Sequence, residues 1–241
     1  MNFVYALIAG LFPSIVWLFF WLREDSTSPE PRWLLTASFL GGMAAVIAAI
    51  FVEKYISDTI FDSSLRYTLW AATEEILKLA AVSLIALNTS FNDEPIDAMV
   101  YCIVAALGFA ALENTLFVMQ PLAHGAIAES VVTGNMRFIG ATLVHVVSSA
   151  MIGFGLGWTF YRGHAAKFLG VAIGLCAAIT IHAAFNLYII NSDPSDVLKA
   201  FGWVWGAVIL LIVLFEEVKA VYPRRADYAQ PTGRTRSGPV V

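Results

Sequence analysis

Runs of apolar residues long enough to cross a bilayer recur along this chain, and four of them carry ionisable side chains in their interiors. A hydrocarbon core of about 30 Å takes about 20 residues of helix, with every backbone N–H and C=O paired inside the segment. The runs lie at about 2–22, 33–53, 67–88, 96–119, 137–161, 167–191 and 200–218. They predict an all-α, polytopic transmembrane bundle of about seven spans, with eight as the alternative count. Hydrophobic residues make up 59% of the 241 and charged residues 13%, a balance outside the range of soluble domains. The first run has no basic segment before it and no small-residue cleavage site, so a retained helix is expected rather than a signal peptide.

The connectors "REDSTSPEPR", "NTSFNDEP" and "NSDPSD" read as turns between helices. The stretch "QPLAHGAIAESVVTGNM" (120–136) is mildly apolar and suits an interfacial helix or a cap over a cavity. Residues 1–220 form one integral membrane domain with a core at 67–190, and the basic tail 221–241 is expected to be disordered. Lys and Arg concentrate in the 23–32 loop, the 162–167 loop and the tail, which places the C-terminus in the cytoplasm of a cell-membrane protein. A net charge of −4 with scattered basic residues excludes a nucleic-acid partner, leaving the lipid bilayer as the surrounding medium. Cys102 and Cys176 both fall in apolar runs and read as small packing residues without a disulfide.

The four middle runs (third to sixth) hold the polar residues, which marks them as a four-helix catalytic core; the first, second and seventh are expected to serve packing and lipid contact. Glu74, Glu75 and Lys78 occupy the third run, Glu113 the fourth, His145 the fifth, and His182 with Asn186 the sixth. Because successive spans alternate in direction, all of these residues fall in one layer, about 11 Å below one surface at 1.5 Å per residue. Glu74, Glu75 and Lys78 share a helix face, as do His182 and Asn186 at a spacing of four. Taken singly, an internal Glu–Lys ion pair or a packed histidine explains each. Together they are expensive, since a charged side chain at a span's centre costs roughly 2.5–3.5 kcal/mol even on the lenient scale. A shared hydrated cavity accounts for all of them at once. His124 and His164 lie in loops and Asp97 and Arg137 begin spans, where interfacial placement is the ordinary reading, with gating of the cavity as the alternative for both of the latter. The Trp and Phe clusters fit interfacial belts.

The motif order adds a resemblance. Glu74-Glu75-x-x-Lys78, Asp97-x-x-x-Tyr101, "GFAALENTLF" with Glu113-Asn114, "RFIGATLVHVVSSAMIGFGLG" with His145, and "HAAFN" with His182 and Asn186 resemble the PrsW family of intramembrane proteases over residues 67–190. The chain is also similar to the wider CAAX-protease and bacteriocin-processing superfamily, whose pattern is EExxxR, FxxxH and HxxxN. Glu113 stands where that pattern has His, and Lys78 replaces its Arg at shorter spacing, so CAAX processing itself is not expected. The resemblance implies an intramembrane endopeptidase that cuts membrane-anchored proteins near the extracytoplasmic side, with a single-pass anti-sigma factor as one such substrate.

Peptide hydrolysis needs an activated water, stabilisation of the oxyanion and a proton for the leaving amine. Glu75 suits the general base, with Glu74 as the alternative, and Lys78 orients or balances the pair. Two arrangements stay open for the rest. In one, Glu113, His145 and His182 hold a divalent metal, Zn²⁺ foremost. In the other there is no metal, His145 assists the base, and His182 with Asn186 donates to the oxyanion. An ion- or proton-coupled transporter, or a non-catalytic membrane partner-binding protein, would carry buried polar residues too.

Overall fold

The computed structural model describes residues 2–23, 29–191 and 197–222. It comprises α1 (Asn2–Trp21), α2 (Arg32–Thr59), α3 (Ser63–Val82), α4 (Asp97–Ala123), α5 (Ile127–Met136), α6 (Thr142–Trp158), α7 (His164–Asn191) and α8 (Val197–Lys219). Single π-helical turns, Ser83–Leu87 and Arg137–Ala141, extend α3 and join α5 to α6. The tail beyond Tyr222 and most of the expected turn at 191–196 lie outside the described residues.

The all-α bundle agrees with the apolar pattern, with one difference in the count. Among the described residues, six stretches are long and apolar enough to cross a membrane: α1, α2, α4, the continuous α5–α6, α7 and α8. The expected third span, α3, is a helix but falls short on composition, because Arg66, Glu74, Glu75 and Lys78 all lie within it. Its outward face is apolar, with Leu65, Ile76 and, just beyond it, Leu84 exposed, while Glu74, Glu75 and Lys78 are buried. Side chains of α4, α6 and α7, not lipid, receive these charges.

α4 is the axis of the bundle. Of its apolar window 72% is buried, against 22% for α1 and 28% for α2, and it packs on α1, α2 and α6. That burial on all sides suits a sequence apolar around its whole circumference, and "DAMVYCIVAALGFAA" is buried without interruption. Close crossing with α2 requires glycine. A Cβ on Gly42 would sit 1.9 Å from the Ala105 carbonyl oxygen, and one on Gly108 1.9 Å from that of Phe39. Gly155 and Gly170 make a similar reciprocal contact between α6 and α7.

Helix ends follow local chemistry. The Asp62 carboxylate accepts from the Leu65 N–H at 2.7 Å and starts α3. Asp97 was expected at the membrane interface, yet it is buried, and its Oδ2 accepts the Asp93 and Glu94 N–H groups at 2.8 and 2.6 Å. The loop before α4 is thus folded back on the helix it precedes. Cys102 is buried as expected; Cys176 faces outward, and both thiols are free.

Candidate active site

Four helices deliver the polar side chains to one place: α3 brings Glu74, Glu75 and Lys78, α4 Glu113, α6 His145 and Ser149, and α7 His182. Glu74 and Glu75 are adjacent, so their side chains leave α3 about 100° apart, and they meet different surroundings.

Glu75 is fully enclosed and fully bonded. Its Oε1 accepts from Lys78 Nζ at 2.6 Å and from His182 Nδ1 at 2.8 Å, and its Oε2 accepts from the Ser149 hydroxyl at 2.8 Å. Such complete satisfaction is what a buried carboxylate needs to be retained in an apolar interior. Lys78 Nζ also lies 3.1 Å from His145 Nδ1 and 4.9 Å from the centre of the Phe109 ring.

Glu74 Oε2, by contrast, is buried with no hydrogen-bond partner. It lies 3.8 Å from His145 Nδ1 and 3.7 Å from His182 Nε2, too far for hydrogen bonds. The opposite edge of each imidazole is held by a carboxylate: His145 Nε2 is 2.9 Å from Glu113 Oε2, and His182 Nδ1 is held by Glu75. The bonds assign the protons to those outer nitrogens, so the Nδ1 lone pair of His145 accepts from Lys78 and Nε2 of His182 presents its lone pair beside Glu74. The two rings stand edge to face with centres 4.8 Å apart.

Beside this cluster opens a cavity of about 780 Å³, with Glu74, Glu113, His145, His182 and Asn186 on its wall. Much of the remaining wall is apolar, contributed by α2, α5, α7 and Phe201 of α8. Helix α2, read from sequence as a packing element, supplies Val46, Ala49, Ile50 and Glu53 to it. The segment expected to lie at the interface or cap a cavity contributes Val132 and Met136 of α5.

Arg137 and Glu53 join the site from outside the residues assigned to it from the sequence. Arg137, read as interfacial, donates through Nη2 to Glu113 Oε2 and through Nε to Asn114 Oδ1, with its guanidinium 4.1 Å from the Phe117 ring centre. The π-helical turn that begins at Arg137 is closed by Thr142, whose hydroxyl donates to the Arg137 carbonyl at 2.9 Å. Such turns recur where a side chain must be re-aimed at a functional site. Glu53 went unremarked because it sits near the end of an apolar run.

Among the described residues, the group able to share a metal ion is Glu74, His145 and His182, with one ligand atom of each within 4.8 Å of the others. The set expected from sequence held Glu113 instead of Glu74; in the structure Glu113 lies on the far edge of the His145 ring, bound by Arg137.

Buried carboxylates and imidazoles thus meet at a cavity among the helices of a polytopic membrane protein. Residues 30–217 match the family model described as PrsW family intramembrane metalloprotease, and the chain belongs to that family. Among curated proteins it is similar to Protease PrsW of Geobacillus kaustophilus, 28% identical over 62% of this chain and 64% of that one. It is likewise similar to Protease PrsW of Bacillus subtilis, 23% identical over 74% of this chain and 79% of the relative. The chain therefore spans a little under two thirds of the first relative's length. No solved structure matches it.

Proposed function

We propose that this protein is an intramembrane endopeptidase that hydrolyses a peptide bond of a membrane-anchored protein admitted to the cavity beside Glu74. The observation that carries this reading is the orphaned Glu74 Oε2 beside His145 Nδ1 and His182 Nε2. Ligand atoms on one tetrahedral zinc stand roughly 3.3 Å apart, given bonds of about 2.0–2.1 Å. The 3.7 and 3.8 Å separations approach that edge, and both histidines already carry the outer carboxylate that zinc-binding imidazoles commonly use. Glu74, His145 and His182 therefore fit a divalent ion, and zinc held there polarises a carbonyl and makes water nucleophilic near neutral pH.

The chain's own residues divide the remaining work. Glu75, with no open oxygen, is the anchor that orients His182 rather than the group that meets water. Glu113 does the same for His145, and Arg137 holds Glu113. With Glu74 among the residues that would hold the ion, proton transfer between water and the leaving amine falls to Glu113, the other carboxylate beside the imidazoles on the cavity wall. Asn186, one turn from His182 on the cavity wall, supplies an amide donor for the oxyanion.

One contact favours a metal-free variant. Lys78 Nζ donates to the His145 Nδ1 lone pair at 3.1 Å, so a cation on that nitrogen needs Lys78 to withdraw to Glu75 alone. In the variant, Glu74 is the base and Asn186 is the donor to the oxyanion.

The family resemblance supports a single-pass anti-sigma factor as the substrate class, and the loop charges support a cell-membrane protein with its C-terminus in the cytoplasm. To test the reading, new N-termini and membrane-protein fragments are compared in cells expressing wild type or Glu74→Gln at equal levels. A fragment made only by wild type, with its parent accumulating in the variant, is expected. Glu74-dependent ion flux with no such fragment would replace proteolysis by transport. Purified wild type should also carry about one equivalent of zinc, lost in His182→Ala; metal-free protein that still cleaves would select the variant mechanism.

A further inference from the structure

One carboxylate at the cavity wall has no role in the chemistry above. Glu53, in α2, is partly buried, and the two hydrogen bonds recorded at this residue use its backbone carbonyl, which accepts from Ser57 and from Trp70 Nε1. Its side chain makes no ion pair or hydrogen bond among the described residues. The other acidic residues of the wall are accounted for: Glu113 takes Arg137 and His145, and Glu74 faces the imidazoles. Six residues, about 9 Å, separate Glu53 from the end of α2 at Thr59, so it lies within the helix and not on the turn. An unpaired carboxylate at such a place is costly, and the cost is recovered when a cation joins it in the cavity.

The neighbouring wall suits a cation. Tyr67 and Trp70 line the cavity with Glu53; the Arg66 guanidinium stands 5.5 Å from the Tyr67 ring centre, so it is Trp70 that adds to the attraction of an incoming positive group. The bond from Trp70 to the Glu53 carbonyl, at 3.2 Å, sets Glu53 level with Trp70 on α3, one turn from Glu74. That turn is about 6 Å, the span of about two residues of extended peptide.

We propose that Glu53 forms a specificity subsite that accepts a lysine or arginine side chain of the substrate, about two residues from the scissile bond toward the α2–α3 turn. This rests on the endopeptidase reading of the site.

The test uses the full-length protein in liposomes with a set of quenched apolar peptides carrying Lys, Ala or Glu at each position around the cleavage point. For wild type, kcat/KM for the Lys peptide should exceed that for the Glu peptide by about tenfold at one position. The ratio should fall toward one in Glu53→Gln and invert in Glu53→Lys, whatever the absolute rates. Equal ratios in wild type, or a wild-type ratio kept by both variants, would overturn the subsite while Glu74-dependent cleavage of the Ala peptide leaves proteolysis standing. If wild type cleaves none of the set, or Glu74→Gln cleaves as wild type does, proteolysis fails and the subsite falls with it.

Discussion

Glu74 and Glu75 are neighbours in sequence, identical in chemistry and both buried, yet they sit in opposite electrostatic circumstances. Around Glu75 every acceptor site has its donor: a lysine, an imidazole and a hydroxyl. Around Glu74 an oxygen is enclosed and unmatched. The first arrangement is finished as folded and holds other residues in place. The second is finished only when something else arrives. In a low-dielectric interior both states are expensive to alter, which makes the contrast experimentally accessible.

The largest effect is expected from Lys78→Ala, which leaves the Glu75 charge enclosed and short of its main partner. A loss of about 3–5 kcal/mol is expected, read as a collapse of the folded fraction in detergent; unchanged thermal stability would show that Glu75 is not the structural member of the pair. Glu74→Gln should do the reverse, preserving the melting temperature within a few degrees while lowering cleavage by about 10²–10⁴-fold. If it unfolds the protein instead, the distinction between anchor and reactive carboxylate disappears. Arg137→Gln removes support one step further out. Metal affinity, or activity at limiting zinc, should fall by about 10–100-fold, with partial recovery in Arg137→Lys, whose charge can still meet Glu113. At the small end, Cys176→Ser on the outward face should change stability by less than about 0.5 kcal/mol in a denaturation series, which calibrates the others.

Much of this organisation is legible from the sequence because ionisable residues inside apolar runs are rare and each demands a reason. Glu113, His145 and His182 stand out on that ground alone, and alternating helix directions bring them to one level. The same logic hides Glu53 and Arg137. Both lie toward the ends of apolar runs, where a charge has an ordinary interfacial explanation, and only packing shows that they turn inward. Nor can adjacency separate Glu74 from Glu75, since either could face the cavity after a modest rotation of α3. The exchange of Glu74 for Glu113 beside the two imidazoles has the same origin: spacing specifies depth along each helix but leaves azimuth to the packing. For α3 the charges that mark the site also depress its hydropathy, so the functional helix is the one that composition alone fails to count as a span.

The crossing of α2 and α4 carries a mechanical consequence. At Gly42 and Gly108 the backbones touch with no side chain between them, so sliding or tilting one helix against the other would drive carbonyl oxygens into Cα atoms. That pair acts as a fixed post. The α2 wall of the cavity, with Val46, Ala49 and Glu53, is thereby held at one distance from α4.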